Sequence, residues 1–409
     1  MRQWMVAAKK ADFYAIAEKF HVDPVVARII RNREVIGEKN IRIYLGGNLS
    51  DLSDPHQMKD MDRLGGILAQ KIRKQVHIRI IGDYDVDGVT SSHLFLTALR
   101  RVGAKVDVVI PHRIQDGYGL SLHLLQQAKE DGVDTILTCD NGIAAIDEIA
   151  WAKAQKMTVL VTDHHAVPFE EHEGRRTEKK SLADAVVNPH QQDCGYPYKE
   201  LCGAGVAWNV IRVLYENYDM DKREAEDLLD FVAMATVCDV MSLTGENRIL
   251  VKEGLKRIRH TKNIGLQALM QACNVQPENI SAYHFGYVLG PCVNATGRLD
   301  TARHALRLFE TGQETEAEEI ARDLVDLNQE RKELTLQGVE MAKKLCEEGG
   351  YENDPVLVLF LPDVPEVLLL SVELPLLFLS LPVKMESHRR SPLLPVLQHL
   401  LPSPYSVRK

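Results

Sequence analysis

The sequence predicts an α/β protein with a doubly wound, mostly parallel sheet, flanking helical regions and a long connector helix. From about Gln75 onward, short β-branched runs alternate with amphipathic helical segments, which is the rhythm of βαβ units. The segment Glu314–Glu347 is charged and keeps a helical periodicity throughout, as a connector helix would. Acidic turns follow three of the apolar runs, and open α/β sheets bind ligands beyond the carboxyl ends of their strands.

The individual elements follow from local patterns. Residues 1 to about 75 predict helices joined by loops, and Asp23-Pro24 is a typical helix start. Residues 202 to 346 are expected to be mainly helical, with Ala225–Val237 as an apolar-rich helix or buried segment. The alternating strands and helices between these regions are His77–Ile81, Ser91–Val102, Lys105–Ile110, Leu122–Asp131, Thr135–Cys139, Ile146–Lys156, Thr158–Thr162 and Ala185–Asn188.

Composition and charge restrict the class of protein. The formal net charge is −9, so no whole-chain basic footprint indicates nucleic acid, although local patches matter more than the sum. The seven cysteines are scattered without a Cys-x-x-Cys pair, which favours reduced thiols in a cytoplasmic protein. The apolar run Val367–Leu381 is short and contains Glu373 and Pro375, so we expect no membrane span.

Three acidic turns contain the residues that most clearly indicate a functional site. They are Asp83-Tyr84-Asp85-Val86-Asp87-Gly88, Asp140-Asn141-Gly142 and Asp163-His164-His165. The first is not a calcium-binding EF-hand loop, because its twelfth position is Leu94 and a strand precedes it. Taken alone it could be a plain acidic turn, but three such turns at strand ends suggest one convergent site.

A convergent site of this composition predicts bound metal ions. Several carboxylates in one crevice repel and raise one another's pKa unless cations neutralise them. Oxygen-rich ligands with an imidazole suit Mn²⁺ or Mg²⁺ better than a thiolate-type zinc site. Two such cations can share carboxylates and activate a water for attack on phosphorus. We therefore expect two divalent cations, Mn²⁺ or Mg²⁺, as cofactors.

These three turns, with Ala235-Thr236-Val237-Cys238-Asp239-Val240 as a fourth match, resemble the ordered motifs of the DHH phosphoesterase superfamily. The resemblance implies a set of metal ligands, which are Asp83, Asp85, Asp140, His164 and Asp239. It also implies that His165, together with Asp163, is catalytic or contacts phosphate. For Asp87, a role behind the ligands or as a helix cap is as compatible with the resemblance as a ligand role.

Three further segments resemble the RecJ branch of that superfamily, the bacterial exonucleases specific for single-stranded DNA. The segments are Pro111–Leu120, Leu201–Ala207 and Gly290–Asp300. The resemblance implies 5′-to-3′ removal of nucleotides, with Arg113 as a candidate for the 5′ phosphate and Asn294 and Arg298 in contact with the strand. A guanidinium binds phosphate as a bidentate fork. The alternatives are that Arg113 pairs with Asp116 and that residues 294–298 form a plain polar turn.

The resemblance also divides the chain into four regions. We expect an N-terminal helical region (1–75), the DHH phosphoesterase domain (76–245), and a helical region with the connector helix (246–348). Residues 349–409 are expected to begin a truncated second, DHHA1-like domain and to continue as an aberrant Leu/Pro-rich tail. The tail lacks the Ser-Gly-Arg-Ser-like and Gly-Gly-His segments of the family, which suggests a frameshift or truncation that impairs activity.

The resulting expectation is a cytoplasmic, metal-dependent exonuclease that hydrolyses single-stranded DNA in repair and recombination. A DNA-repair helicase or a single-strand-binding protein is a candidate partner. Two alternatives remain open on the sequence. One is a DHH phosphodiesterase for short oligonucleotides or cyclic dinucleotides, and the other is an inactive fragment that binds DNA or a partner.

Overall fold

The computed structural model describes residues 11–113, 116–117, 119–172, 175–299, 302–349, 357–359 and 376–378. The chain divides into two compact units, residues 1–329 and 330–409. The sheet and all the candidate site residues belong to the first unit. No helix in the described ranges is both long enough and apolar enough to cross a bilayer.

A five-stranded parallel sheet forms the centre of the first unit. Its strands are β1 (Ile78–Ile81), β2 (Val106–Val109), β3 (Thr135–Cys139), β4 (Thr158–Thr162) and β7 (Ala185–Val187). Their spatial order is β2-β1-β3-β4-β7, so the chain first adds a strand to one side of β1 and then builds the other side. The strand order therefore switches between β1 and β3, which is where ligands bind in doubly wound sheets. The predicted α/β class and parallel sheet are confirmed.

Helices cover both faces of this sheet. In chain order, the first eight α-helices of the described residues are α1 (Phe13–Phe20), α2 (Pro24–Asn32), α3 (Glu38–Gly46), α4 (Met61–Arg73), α5 (Val86–Arg101), α6 (Leu122–Glu130), α7 (Ile146–Ala154) and α8 (Gly203–Glu216). The later ones are α9 (Lys222–Glu226), α10 (Leu229–Cys238), α11 (Gly245–Ile258), α12 (Ile264–Ala272), α13 (Ala282–His284), α14 (Gly290–Leu299), α15 (Ala302–Glu310) and α16 (Glu314–Gly349). A π-helical turn, Phe285–Leu289, joins α13 to α14.

Successive strand residues enter two different cores, because side chains alternate between the faces of a sheet. Leu137 of β3 and Leu160 of β4 join the larger core, which is shared with α4, α5, α8 and α10. Their chain neighbours Ile136 and Val159 join the smaller core, which is shared with α6 and α7. Both faces are thus buried, which explains why the strands read as continuous apolar runs.

Helix α5 begins at Val86 and not at Ser91, where its periodicity predicts the start. The carboxylate of Asp85 accepts a hydrogen bond of 2.9 Å from the amide of Gly88, which is an N-cap contact. The acidic turn is therefore also the helix start, and Asp87 lies in the first turn of the helix. The signal was present in the sequence, since an aspartate before an apolar run is a typical cap.

The charged segment 170–180, which its composition assigns to a solvated loop, instead contains most of an antiparallel hairpin. Its strands are β5 (Phe169–His172) and β6 (Arg175–Glu178). Glu171 pairs across the strands with Arg176, whose guanidinium also lies 4.5 Å from the ring centroid of Phe169. Cross-strand ion pairs and aromatic contacts stabilise such ribbons, so the alternating charges belong to paired strands.

The second unit contains the end of the long helix and one strand pair. Helix α16 ends at Gly349, close to the predicted end of the connector helix. Strand β8 (Leu357–Leu359) pairs in parallel with β9 (Leu376–Phe378). Apart from β9, the predicted aberrant tail lies outside the described residues.

Gly254 provides a test of the packing between α10 and α11. A Cβ on Gly254 would lie 2.2 Å from the carbonyl oxygen of Leu229 and 2.3 Å from Cβ of Ala233. We predict that Gly254→Ala lowers the free energy of unfolding by about 1–3 kcal/mol in urea denaturation, because the helices must move apart. Gly66→Ala in α4, where nothing lies within 4 Å, is the control and should stabilise by up to about 1 kcal/mol. Equal effects of the two substitutions would contradict this packing.

Candidate metal centre

Two glycines, Gly82 and Gly88, allow the close packing that gives the first acidic turn its shape. A Cβ on Gly82 would lie 2.0 Å from Oγ of Ser92. A Cβ on Gly88 would lie 2.5 Å from the backbone nitrogen of Asp83. Larger residues at either position would therefore displace the loop. Asp83 is buried directly after β1, with 1% of its surface exposed, so the loop fixes this carboxylate at the carboxyl end of the central strand.

The second turn places Asp140 in an uncommon backbone conformation. Its φ is +60°, in the left-handed region that residues other than glycine rarely adopt. The neighbouring Asn141 holds the turn in this shape, because its side-chain amide donates to the carbonyl oxygens of Ile81 (3.0 Å) and Cys139 (2.8 Å). The ends of β1 and β3 are thereby joined. Backbone strain of this kind is concentrated at functional sites.

The third turn arranges two imidazoles around one buried carboxylate. Asp163 accepts hydrogen bonds from the backbone amides of His164 (2.7 Å) and His165 (3.0 Å). It also accepts from the amide of Ile143 (2.8 Å) and from Nδ1 of His165 (2.8 Å). Burial alone would raise the pKa of Asp163, but the hydrogen bonds and charge of His165 outweigh burial and lower it. The bond to Asp163 in turn raises the pKa of His165, so the two side chains act as a pair.

His164 differs from His165 in burial and in the direction in which its pKa is shifted. Burial lowers the pKa of His164, which favours the neutral imidazole that binds metals. Its Nε2 lies 3.0 Å from a carboxylate oxygen of Asp140 and 3.7 Å from one of Asp239. Asp239 follows α10 as its C-cap residue. Burial, followed by the nearby carboxylates of the first turn, raises the pKa of Asp239 to about 7.

Asp87 joins the first turn to the start of α8. Its two carboxylate oxygens accept hydrogen bonds from the amides of Gly203 (2.6 Å) and Ala204 (2.7 Å), and burial raises its pKa. The helix-capping role left open by the sequence is therefore present, although the capped helix is α8. One oxygen also lies 3.6 Å from Nε2 of His164, so Asp87 both supports the cluster and borders it.

Gly203 makes the contact between α8 and the second turn possible. A Cβ at this position would lie 2.6 Å from Cβ of Asp140. The start of α8 therefore packs directly on that turn. Neither the packing partner of Gly203 nor the strand-joining role of Asn141 follows from the spacing of the motifs alone.

The candidate ligands converge in three overlapping groups, within each of which the ligand atoms lie within 4.8 Å of one another. The groups are Asp83, Asp85 and Asp140; Asp140, His164 and His165; and Asp87, His164 and Asp239. Asp140 and His164 each belong to two groups. Shared ligands of this kind suit two neighbouring cations, as the sequence predicts.

The electrostatics of the cluster fit divalent cations. Both carboxylate oxygens of Asp83 and Nε2 of His164 are buried, and among the described residues none of them meets a well-directed hydrogen-bond donor or acceptor. Burial, followed by the charge of Asp85, raises the pKa of Asp83 to about 7. Burial and the neighbouring carboxylates raise the pKa of Asp140 well above its usual range. Bound cations would compensate these buried charges and occupy the unpaired atoms.

The three candidate DNA contacts lie beside this cluster or outside the described side chains. The guanidinium carbon of Arg113 lies 5.4 Å from the ring centroid of Tyr84 in the first turn. Within the described residues Arg113 makes no ion pair with Asp116, which instead accepts from the amide of His112 (2.8 Å). Oδ1 of Asn294 accepts from the amide of Val86 (3.0 Å) and so supports the first turn.

Helix α14 brings the remaining candidate toward the same loop. A Cβ on Gly297 would lie 2.5 Å from the carbonyl oxygen of Tyr84, so α14 packs closely on the first acidic turn. Arg298 follows in this helix, but its side chain lies outside the described residues. DNA contacts by Asn294 and Arg298 therefore stay predictions.

Comparison with known proteins shows which family this chain resembles. Residues 77–236 match the DHH family, N-terminal domain. The single-stranded-DNA-specific exonuclease RecJ of Bacillus subtilis is 33% identical over 344 residues, which cover 84% of this chain and 42% of that relative. RecJ of Haemophilus influenzae is 36% identical over 334 residues, which cover 79% of this chain and 56% of the relative. The chain thus spans about half the length of the curated relatives it matches.

A solved structure of a RecJ exonuclease also resembles this chain. The crystal structure of exonuclease RecJ bound to manganese matches with a TM-score of 0.65 and 31% sequence identity. The match covers 76% of this chain and 75% of that chain. The resemblance drawn from the motifs thus extends over most of both chains.

A substitution at Gly203 tests whether the start of α8 holds the candidate metal ligands in place. We predict that Gly203→Ala weakens Mn²⁺ binding at least about tenfold, because the added Cβ displaces Asp140 and the start of α8, and supporting contacts of this kind are worth about that much in metal affinity. Isothermal titration with Mn²⁺ measures the change. Gly205→Ala in the same helix turn is the control, since its nearest neighbours are side-chain atoms of Leu201 at 3.4 Å. Equal affinities of the two variants would contradict the proposed support.

A substitution at Asp83 tests whether the crowded carboxylates destabilise the metal-free protein. With a folded-state pKa of about 7, Asp83 holds a proton that the unfolded chain has already released, so the metal-free protein loses stability as pH rises to about 7. We predict that at pH 8, without metal, Asp83→Asn raises the thermal midpoint by about 2–4 °C or more.

Added Mn²⁺ should reverse this order. At a concentration about 100-fold above Kd, it should stabilise the wild-type chain by about 2.7 kcal/mol and the Asp83→Asn variant by much less. Asp326→Asn, at an exposed position of α16, is the control and should behave as wild type in both conditions. A wild-type midpoint that does not respond to Mn²⁺ would exclude the site.

Proposed function

Because this chain belongs to the RecJ family of DHH phosphoesterases, we propose that it is a metal-dependent exonuclease acting on single-stranded DNA in the 5′-to-3′ direction. The observation that carries the proposal is the convergence of buried and half-buried carboxylates with the imidazole of His164 at the switch point of the sheet. The proposed catalytic domain is residues 76–245, with 246–348 as its helical extension.

The proposed ligands are the five residues implied by the family motifs. They are Asp83, Asp85, Asp140, His164 and Asp239. When bound, two Mn²⁺ or Mg²⁺ ions would polarise the phosphodiester and lower the pKa of an attacking water. The chain contributes the fixed geometry, because the glycines, Asn141 and Asp87 hold the carboxylates before any ion arrives. Preorganisation of this kind is a large part of electrostatic catalysis.

His165 is the proposed proton donor or phosphate contact. Its Nδ1 is committed to Asp163, so a proton for a phosphate or leaving-group oxygen must come from Nε2. The raised pKa of His165 keeps a larger share of the imidazole protonated near neutral pH. Its side chain is 44% exposed, which leaves it accessible to a substrate, whereas Asp163 is buried. Asp163 therefore acts as the residue that positions His165.

Arg113 is the proposed contact of the 5′ phosphate. It lies beside Tyr84 of the first turn and makes no ion pair with a carboxylate among the described residues. A guanidinium without a carboxylate partner can offer its full fork to a phosphate. Recognition of a terminal phosphate next to the ligand cluster would account for an exonuclease that starts at a 5′ end.

The biological setting belongs to the same proposal. We propose that the protein acts in the cytoplasm and receives its single strands from a DNA-repair helicase or a single-strand-binding protein. A helicase assay tests this idea. A duplex should be degraded only when a helicase is present to unwind it.

The proposed activity is tested with end-labelled oligonucleotides in Mn²⁺. We predict progressive loss of a 5′ label from a single strand and little loss from a blunt duplex. Asp140→Ala and His164→Ala should each lower the rate by about a thousandfold, since metal-ion catalysis supplies several kcal/mol. Cleavage only of dinucleotides would favour the small-substrate phosphodiesterase, and strand binding without any turnover would favour an inactive DNA-binding fragment.

Arg113→Ala tests the contact with the 5′ phosphate. We predict about a ten- to hundredfold loss in kcat/KM on 5′-phosphorylated strands, because a charge-assisted contact of this kind is worth about 1.5–3 kcal/mol, and little loss on 5′-hydroxyl strands. The control is Arg176→Ala, which removes another arginine that lies over an aromatic ring, here in the hairpin β5–β6. Equal losses on both kinds of 5′ end would remove Arg113 from this role.

A further inference from the structure

Two exposed tyrosines form a stacked pair on the surface of the first unit. Tyr283 and Tyr287 are 63% and 72% exposed. Their ring centroids lie 5.1 Å apart and their planes are inclined by only 23°. Tyr283 belongs to α13 and Tyr287 to the π-helical turn Phe285–Leu289, so the two rings follow one another along the same face. Large aromatic side chains at this exposure commonly mark a binding surface.

The π-helical turn packs on the segment that carries Asp239. Sγ of Cys238 donates to the carbonyl oxygen of Phe285 at 3.3 Å. A Cβ on Gly290, directly after the turn, would lie 2.3 Å from the same sulfur atom. The turn that carries Tyr287 is therefore anchored to the end of α10, and the candidate metal ligand Asp239 is the next residue after that helix. Single π-helical turns inside helices often occur at functional sites.

Val240, directly after Asp239, is an unusual residue beside the candidate ligands. This residue is 88% exposed and has a φ of +56°, in the left-handed region. A β-branched residue in that conformation is a genuine outlier whose backbone is strained. The strained position lies directly after Asp239. The chain therefore keeps both an apolar side chain and a strained backbone exposed at the edge of the ligand cluster.

The charge of the segment that carries the pair limits which part of a nucleic acid it can bind. No lysine or arginine occurs between Lys262 and Arg298, so the segment that carries both tyrosines has no permanent cation to hold a phosphate. The nearby ligand cluster consists mainly of carboxylates, which repel phosphates that no cation neutralises. Aromatic rings, in contrast, stack on any base, because every base has a π-face.

We propose that Tyr283 and Tyr287 form a platform on which bases of the single strand stack while the scissile phosphodiester lies at the metal centre. The inference rests on the proposed function and adds a base-binding subsite to it. The bases of a duplex already stack on one another and are paired, so they cannot offer their faces to the tyrosines. The platform therefore selects single strands without selecting a sequence.

Binding without turnover tests the platform. Fluorescence anisotropy of a labelled oligothymidylate is measured in EDTA with wild-type protein, with a Tyr283→Ala/Tyr287→Ala variant and with the corresponding double Phe variant. Each base that stacks on an aromatic ring adds to the affinity, so the Ala variant should bind about tenfold more weakly or worse, whereas the Phe variant keeps wild-type affinity. Tyr14→Ala, at a 77% exposed position of α1, is the control and should not change binding.

Two further readouts separate stacking from other effects. A strand with abasic sites should bind wild-type protein as weakly as the oligothymidylate binds the Ala variant, and the two losses should not add. The dependence of log K on log salt should be the same for wild type and variant, because neutral rings release no counterions. Equal losses on abasic and normal strands, a changed salt dependence, or no loss at all would overturn the platform.

A small substrate separates this proposal from the proposed function. Mn²⁺-dependent hydrolysis of thymidine 5′-monophosphate p-nitrophenyl ester reports the metal centre, because this ester offers one base and no strand. If wild type and Ala variant hydrolyse the ester equally and differ on strands, both proposals are supported. If neither protein degrades strands or hydrolyses the ester but base-dependent strand binding persists, the proposed function fails and the platform stands. Equal behaviour of the two proteins on ester and strands removes the platform alone.

Discussion

The pair of hydrogen bonds from the start of α8 to the buried carboxylate of Asp87 is the contact on which the rest of the site depends. It joins the turn after β1 to the amides of Gly203 and Ala204, 116 and 117 positions later in the chain. The same glycine lets α8 lie against Asp140, so one helix end fixes two acidic turns at once. A helix N-terminus stabilises a buried carboxylate there, because its free amides and dipole both favour negative charge.

Around this contact the fold gathers charges that it does not neutralise itself. The pKa values of Asp83 and Asp239 are raised to about 7, and that of Asp140 rises well above its usual range, because burial removes water while neighbouring carboxylates add repulsion. Asp163 is the exception, since four hydrogen bonds hold it ionised and tie it to His165. The division separates the proposed metal ligands from the one carboxylate that positions an imidazole.

Helical segments far along the chain complete the site from the side. Helix α14 packs on the first turn through Gly297 and supports it through Asn294, while the π-helical turn before it rests on Cys238. The elements that hold the ligands and the exposed tyrosine pair thus share one continuous framework.

The sequence by itself determined the sheet and three of its acidic ends, because strand periodicity and the residues after a strand are local features. Thr135–Cys139 and Thr158–Thr162 form strands as predicted, and the hairpin at 169–178 was missed only because alternating charges resemble a loop. Asp239 could be assigned only by resemblance to a family, and Asp87 could not be distinguished from a ligand. Those assignments depend on which distant segments pack together, and only the tertiary structure decided that α8, α10 and α14 would meet the ends of β1, β3 and β4.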